Sequence, residues 1–300
     1  MKTALLSLAV LIAATLAAQA PDFSSVQIKT TKLAPNFYVL DGAGGATGAL
    51  VGSDGVLLVD SQFAPLTQKL VAAIYQISGN APIRFLINTH QHGDHTGGNE
   101  NFGKMGVVIL STNDLRSRLA KPVTLATPGN PIRPAYPAAA LPTMTYGGQI
   151  TLNMNGEEVR AIPVPRGHTG GDTLVYFPIS DVLMTGDFYR SVGYPTIDIA
   201  NGGSAQGMIN GLGVAIGLAD ANSKVVPGHG AAATRGDLVF HRDMYVSVRD
   251  RVLKMIREGK TEAEVTAAKP TAEFDAKVPS ANTTADRFIG QLYNDLKRTN

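Results

Sequence analysis

Cysteine is absent from this 300-residue sequence, and no basic block or aromatic-spaced basic stripe interrupts it. Without cysteine there are no disulfides, so the fold depends on its core, and a metal can have only nitrogen or oxygen ligands. Lys and Arg number 26 against 24 Asp and Glu, a net charge of +2. This near neutrality argues against nucleic acid as a partner, and a small-molecule substrate is expected instead.

The first twenty residues differ in composition from the rest. Lys2 precedes an apolar run over residues 4–18, and Ala18-Gln19-Ala20 places small residues around one glutamine. This layout predicts a secretory signal peptide over residues 1–20, and therefore an exported protein, periplasmic or secreted, without a stable membrane anchor after cleavage. An uncleaved anchor is the alternative, and Pro21 leaves the cleavage position open.

A dense group of metal-capable side chains occupies residues 89–99, directly after the apolar run 84–88. His90 and His92 project to the same side of an extended strand end, so they can bind one ion. Gly93 relaxes the backbone, so Asp94 and His95 point elsewhere and suit a second ion. Imidazole and carboxylate are ligands of zinc, and so dense a cluster rarely arises from core packing.

This His-x-His-x-Asp-His pattern resembles the signature of the metallo-β-lactamase superfamily. His168, Asp187 and His229 match the later superfamily motifs in order, so the resemblance covers nearly the whole chain after residue 20. The resemblance implies two zinc ions per chain. One would be held by His90, His92 and His168, the other by Asp94, His95 and His229, with Asp187 as the bridge.

The resemblance also implies a hydrolase in which a hydroxide between the zincs attacks a carbonyl of an ester, lactone, thioester or β-lactam amide. Asp94 would orient the hydroxide or pass on its proton. Asp60 is expected to be a buried acid that braces the metal loop, or else a strand-end acid that faces water. Arg190 stands where cysteine-ligated lactamases carry a lysine that binds the drug's carboxylate, so it is a candidate substrate contact, with a solvated arginine as the alternative.

With an aspartate at 187, the chain resembles the glyoxalase II and lactonase branches of the superfamily more than the cysteine-bearing lactamases, which the lack of cysteine excludes. Two alternatives to a zinc hydrolase stay open. One is a mononuclear-iron sulfur dioxygenase, and the other is a non-catalytic zinc-binding protein of the cell envelope. The scissile bond, the metal loaded in the cell and the oligomeric state do not follow from the sequence.

The order of elements predicts an α/β (α+β) fold, the four-layer αββα sandwich of this superfamily. Residues 21–300 are expected to form one domain with helices over about 237–298. Residues 121–142 hold six prolines and predict a long surface loop near the site that cannot form a regular ladder. His241 falls on an apolar helix face and is assigned to packing. Strands are predicted at 26–30, 37–40, 49–51, 56–59, 107–110, 149–154, 157–164, 174–177, 182–184 and 224–226, and helices at 64–78, from 99, from 112 or 113, at 205–219, at 238–256 and at 284–297.

Overall fold

The structure is a computed structural model that describes residues 22–124 and 132–299. The predicted signal peptide and part of the proline-rich stretch lie outside the described residues. In chain order the strands are β1 (Lys29–Ala34), β2 (Phe37–Asp41), β3 (Thr47–Gly52), β4 (Gly55–Val59), β5 (Ile83–Ile87), β6 (Val108–Thr112), β7 (Val123–Thr124), β8 (Ile132–Arg133), β9 (Met144–Tyr146), β10 (Ile150–Met154), β11 (Glu157–Pro165), β12 (Gly171–Phe177), β13 (Val182–Gly186) and β14 (Lys224–Pro227).

The helices lie between and after these strands. They are α1 (Thr67–Ser78), α2 (Gly93–Thr96), α3 (Asn99–Lys104), α4 (Asn113–Leu119), α5 (Ala205–Leu218), α6 (Arg235–Arg257), α7 (Glu262–Ala267) and α8 (Ala285–Thr299). Within the described ranges, no helix has both the length and the apolar content that a membrane crossing requires.

Two large sheets carry the fold. The first has the order β1-β2-β3-β4-β5-β6-β9, antiparallel up to β4 and parallel from β4 onward. The second has the order β10-β11-β12-β13-β14 and is antiparallel except for its last pair. At the β10–β11 turn, Asn155 and Gly156 both have positive φ, 54° and 73°, which is the backbone that an Asn-Gly hairpin favours. The strands predicted at 149–154 and 157–164 therefore pair as a hairpin across this turn.

The apolar faces of the two sheets pack against each other. Phe37 of the first sheet and Phe177 of the second lie with ring centroids 4.6 Å apart. Helix α1 covers the outer face of the first sheet through Leu70 and Ile74. Helices α5, α6 and α8 cover the outer face of the second. The layers therefore run αββα, as predicted.

Two local predictions are wrong. The first strand begins at Lys29 rather than Val26, because Lys29 pairs with the last residue of β2, Asp41, and no partner strand reaches further back. In the proline-rich stretch, β7 and β8 form a two-residue antiparallel ladder. The ladder is compatible with the composition because the prolines of the stretch stand outside both strands.

The predicted helix boundaries hold to within a few residues. Thr112 caps α4 by accepting a hydrogen bond from the Leu115 amide, as its position suggested. Thr261 and Glu264 form a capping box at the start of α7. A second capping box, Thr234 with Asp237, starts α6 three residues earlier than the apolar pattern indicated.

Candidate metal centre

The candidate ligands come together at one edge of the sandwich. Parallel strands end at the same edge of a sheet, and the first sheet there delivers the loop after β5, which carries His90 and His92 and leads into α2. In the second sheet β13 and β14 are also parallel, so Asp187 and His229 follow their carboxyl ends side by side. His168 precedes β12 on the same side. The fold thus gathers all seven predicted residues.

Three imidazoles form one group. Nδ1 of His92 lies 3.2 Å from Nε2 of His90 and 3.0 Å from Nε2 of His168. Tetrahedral zinc with bonds of about 2.0–2.1 Å separates two ligand nitrogens by roughly 3.3–3.4 Å. The three nitrogens therefore lie at spacings that would suit a shared cation.

Asp94, His95 and His229 form a second group. Oδ2 of Asp94 lies 3.2 Å from Nε2 of His229 and 3.7 Å from Nε2 of His95. Both oxygens of Asp187 face this group, Oδ1 at 3.2 Å from His95 and Oδ2 at 3.2 Å from His229. Oδ2 is also 3.8 Å from Nε2 of His168, so Asp187 lies between the two groups.

Two buried atoms support a cation here. Among the described residues, Nε2 of His95 and Oδ1 of Asp187 have no hydrogen-bond partner of good geometry. A buried polar atom without a partner is costly, on the order of 1–3 kcal/mol. A metal ion between them would satisfy both, so the donor set fits the metal that the sequence predicted.

Asp60 forms a hydrogen bond with His95, a member of the second group. Its side chain accepts hydrogen bonds from Nδ1 of His95 at 2.7 Å, from the Thr89 amide at 2.7 Å and from the Thr89 hydroxyl at 2.6 Å. It is 1% exposed, so it does not face water. Because Asp60 accepts from Nδ1, the lone pair of His95 lies on Nε2, toward the cluster.

Asp198 and Thr196 hydrogen-bond two other imidazoles of the cluster, and no sequence pattern pointed to either residue. The Asp198 carboxylate lies 2.8 Å from Nε2 of His92, and the Thr196 carbonyl lies 2.7 Å from Nδ1 of His168. Both belong to the segment between β13 and α5, whose path no periodic pattern describes. Asp198 is held there because it also caps the turn Ile199–Asn201.

Burial sets the charge of the first group. It lowers the pKa of His90 well below its usual range and that of His168 to about 4. Both rings are therefore neutral at pH 7, the form that ligates a metal. Burial alone would also lower the pKa of His92, but the hydrogen bond and charge of Asp198 outweigh it and raise that pKa.

In the second group, carboxylates raise the pKa values of the two imidazoles. Burial would lower the pKa of His229, but its bonds to Asp187 and Asp94 raise it to about 9. Asp60 and Asp187 likewise raise the pKa of His95 against the effect of burial. Burial opposes ionisation of Asp94, yet His229 and His95 hold its pKa at about 2. The carboxylates are therefore ionised and hold protons on the two imidazoles, which a bound cation would displace.

Glycines let the backbone approach the ligands closely. A Cβ on Gly45 would lie 2.3 Å from Cε1 of His95, and one on Gly228 would lie 1.9 Å from Oδ1 of Asp187. Gly44, at φ 90°, lies against Asp94 in the same way. The glycine-rich loop after β2 thus packs directly on the second group.

The remaining predicted residues lie near the cluster or away from it. Arg190 is 8% exposed, so it is not a solvated surface arginine, and its Nε donates to the Val192 carbonyl at 2.9 Å. In the proline-rich stretch, the Tyr136 hydroxyl lies 3.1 Å from that of Thr96 in α2, which places this part beside the site. His241 is buried on α6 and belongs to neither ligand group.

Several known proteins are similar to this chain in sequence or in fold. Over 174 residues the chain is 30% identical to the metallo-beta-lactamase type 2 of Elizabethkingia meningoseptica, covering 55% of this chain and 64% of that relative. A metallo-beta-lactamase from Pontibacter korlensis superposes with a TM-score of 0.60 at 17% identity, over 73% of this chain and 99% of the other. The stereoselective inverting sec-alkylsulfatase Pisa1 from Pseudomonas sp. gives 0.68 at 16% identity, over 89% of this chain and 50% of the other.

The family assignment follows from a match to a family model. A model of the metallo-beta-lactamase superfamily matches residues 40–239, which run from the end of β2 to the start of α6 and hold all seven clustered side chains. The motif resemblance, the layer order and this match point the same way. The chain belongs to the metallo-β-lactamase superfamily.

Proposed function

We propose that this protein is a zinc-dependent hydrolase in which water activated by two zinc ions attacks the carbonyl carbon of an ester, lactone, thioester or β-lactam amide. The chain belongs to a superfamily of hydrolase-like folds that usually bind metal ions. The observation that carries the proposal is the position of Asp187, whose two oxygens face both ligand groups. One carboxylate placed in this way could ligate a cation at each of the two groups.

Each ligand has a defined part in the proposal. His90, His92 and His168 would hold one zinc, and Asp94, His95 and His229 the other, with Asp187 shared. When bound, zinc supplies Lewis acidity, which ionises water near neutral pH and polarises a carbonyl. Asp60, Asp198 and the Thr196 carbonyl keep the imidazole lone pairs directed inward.

Asp94 is the carboxylate best placed for proton transfer. Its side chain is 21% exposed, whereas that of Asp187 is 7% exposed. A carboxylate at the mouth of the site can orient water and pass a proton to the leaving group, while a buried one serves chiefly as a ligand. We therefore assign the catalytic role to Asp94 in addition to its place among the ligands.

The substrate is proposed to be a small molecule met outside the cytoplasm, since the sequence predicts export. The relative from Elizabethkingia meningoseptica is named a metallo-beta-lactamase, so β-lactams belong among the candidate substrates. Nucleic acid is not proposed, because the chain is nearly neutral.

The test is turnover of a substrate panel by zinc-loaded protein. Esters, lactones, thioesters, a chromogenic β-lactam and a secondary alkyl sulfate are assayed before and after metal removal, and metal content is measured by mass spectrometry. We expect hydrolysis of at least one carbonyl substrate, two zincs per chain, and loss of activity on chelation that added zinc restores. One iron per chain would favour the sulfur dioxygenase, and full zinc without turnover of the panel would favour the non-catalytic protein.

Asp187→Ala provides the structural control for this test. The variant is expected to bind about one zinc and to lose most turnover, because it removes the only carboxylate among the described residues that faces both groups. Two tightly bound zincs in the variant would contradict the proposed bridge.

A further inference from the structure

The two large sheets end in four edge strands in the described part of the chain, β1 and β9 in the first sheet and β10 and β14 in the second. An edge strand presents unpaired amides and carbonyls to its surroundings. Proteins protect such edges with lysine, proline, bulges, short strands or a covering segment. The four edges differ in this protection, so each was compared with the others.

Three of the four edges are protected. β1 carries the exposed side chains of Lys29 and Lys32, and its register is irregular after Lys32. β9 is only three residues long. β14 is four residues long, and its Val225 exchanges two backbone hydrogen bonds with Ala233, so a segment of the same chain covers it. These three edges therefore offer no long ladder to another chain.

The fourth edge, β10, has none of these protections. It pairs with β11 along its whole length without a bulge, and no other strand of residues 22–124 and 132–299 lies on its second side. Residues 149–156 contain no charged residue and no proline. Thr151 and Asn153 are exposed. Ile150 and Leu152 pack against the core between the sheets but are only partly buried. β10 is therefore an uncharged edge whose inner face is still partly open.

The hairpin turn determines which backbone groups of β10 point away from β11. A two-residue turn makes the residues that flank it, here Met154 and Glu157, a hydrogen-bonded pair. Bonded and non-bonded pairs alternate along an antiparallel ladder, so the next bonded residue of β10 is Leu152. Thr151 and Asn153 are the non-bonded positions, and their amides and carbonyls therefore point to the outer side of the sheet edge.

Apolar surface continues beside this strand. A cavity of about 530 Å³ opens between the sheets, and Phe85 of the first sheet lines it together with Leu152 and Met154 of the second. Met144 of β9, the edge strand that precedes β10, is 51% exposed. A partner with apolar side chains would cover surface that a single chain leaves in contact with water.

We propose that two copies of this protein associate through β10, with the two strands antiparallel about a two-fold axis at Leu152. In this register Thr151 of each copy lies opposite Asn153 of the other, so the outward amides and carbonyls of both strands pair. The second sheets of the two copies then form one continuous sheet. A symmetric contact of this kind closes as a dimer, because each copy uses the same edge.

The inner face of β10 is complementary to itself in this register. Leu152 lies opposite Leu152 of the second copy, and Ile150 of the second copy lies opposite Met154, beside the cavity. Opposite apolar side chains on neighbouring strands attract each other. Because every inner side chain meets an apolar one, the pattern favours a second copy over a strand of unrelated sequence.

The outer face is compatible with the same axis. Thr151 and Asn153, which lie opposite each other across the axis, are uncharged. Their neighbours on β11 are Arg160 beside Thr151 and Glu158 beside Asn153. One row of side chains across the dimer therefore has a positive charge at one end and a negative charge at the other. No like charges face each other along this row, so charge does not oppose the contact.

The first experiment measures association by sedimentation velocity of zinc-loaded protein between about 1 and 100 μM. We expect wild type to show a monomer–dimer equilibrium in this range. Thr151→Pro removes one outward amide from each strand, so we expect it to weaken the dimer about tenfold or more. Proline is tolerated on an edge strand where the amide points away from the ladder, so the variant should keep its fold.

Thr151→Val is the matched control. It changes the same side chain but keeps the amide, so its dimer dissociation constant should stay within about threefold of wild type. Circular dichroism and zinc content at the wild-type level verify the fold of both variants. A wild-type protein that is monomeric throughout the range would overturn the proposal. So would a folded Thr151→Pro that dimerises as well as wild type, because the contact would then lie elsewhere.

The second experiment tests the register by crosslinking, which the lack of native cysteine makes specific. Thr151→Cys and Asn153→Cys proteins are mixed and oxidised, and covalent dimers are quantified on non-reducing gels. Residues of a hydrogen-bonded antiparallel pair have Cα atoms about 5.5 Å apart, a distance that a disulfide spans. We therefore expect the mixture to crosslink faster and further than either protein alone. Both changes are on exposed side chains, so this test holds even if Thr151→Pro folds poorly.

Thr30→Cys is the control for the crosslinking experiment, because it places an exposed cysteine on the other sheet's edge strand, β1. Mixed with Asn153→Cys, it should crosslink no faster than Asn153→Cys alone. Preferential crosslinking of this pair would show that β10 pairs with β1 of another copy, which is a head-to-tail contact, and would overturn the two-fold dimer. Equal crosslinking in all mixtures would show random collision and would also overturn it.

Discussion

Replacement of Asp198 by asparagine tests whether this carboxylate prepares His92 to bind a metal together with His90 and His168. The carboxylate lies 2.8 Å from Nε2 of His92 and also accepts hydrogen bonds from the amide and side chain of Asn201. Burial would raise the pKa of Asp198, but its bond with His92 lowers it to about 2, so it is charged at neutral pH. Asparagine keeps the shape and can still cap the turn, so the variant removes mainly the charge.

The expected effect is on metal affinity. Without the carboxylate, the proton on Nε2 of His92 is held less firmly, and Nδ1 becomes a weaker and less well-oriented ligand for the metal that His92 would share with His90 and His168. Changes of this kind cost about 10–100-fold in metal affinity, or about 1.4–2.8 kcal/mol. We expect the loss to fall on one of the two zinc ions, since Asp198 contacts no member of the second group.

The assay is competition with a chromophoric zinc chelator, which resolves two successive dissociation constants. Asp220→Asn is the matched control, because Asp220 also caps a turn through the Asn222 and Ser223 amides but contacts no candidate ligand. Dissociation constants of Asp198→Asn that both stay within about twofold of wild type would refute the argument that Asp198 supports a metal ligand.

Further predictions concern the backbone and a buried imidazole. Gly45→Ala would place a Cβ 2.3 Å from the His95 ring, so we expect it to lower zinc content and turnover. Gly148→Ala is the control, because its Cβ would meet open space, and it should leave zinc content and turnover unchanged in the same assays. Burial lowers the pKa of His241 to about 4, below its unfolded value of about 6.5. The folded state then binds fewer protons than the unfolded state between these values, so stability is lost as the pH falls from 6.5 toward 4. Between pH 7.5 and pH 4.5, the free energy of unfolding measured with urea should fall by about 2–3 kcal/mol less in His241→Phe than in wild type. Equal decreases in the two proteins would contradict this prediction.

The sequence indicated the candidate metal ligands better than the residues that hydrogen-bond to them. His90, His92, Asp94 and His95 could be located because they lie close together on one short stretch after a strand. The distant ligands became visible only through their resemblance to superfamily motifs. Asp198 belongs to no motif, and its contact with His92 spans 106 residues, a separation that local patterns do not resolve.

The fold was predictable where burial is regular. Alternating apolar residues and two-residue turns located most strands, since each strand has one face in the core between the sheets. The first strand was misplaced because its start depends on the length of its partner, β2, and not on its own composition. The short β7–β8 ladder was missed for a related reason, since pairing across a loop depends on tertiary context that composition does not contain.

The metal centre depends on the packing of the two sheets, and not on the histidine-rich motif alone. Each ligand group takes side chains from both sheets, because His168 completes the group of His90 and His92 while His229 completes that of Asp94 and His95. A bound ion therefore favours the state in which the sheets are packed, and any ligand that binds only the folded state stabilises it by mass action. At a free zinc concentration about 100 times the dissociation constant, this contribution is about 2.7 kcal/mol per site. In a chain without disulfides, bound ions would add a link between the two sheets that the apolar core alone does not provide.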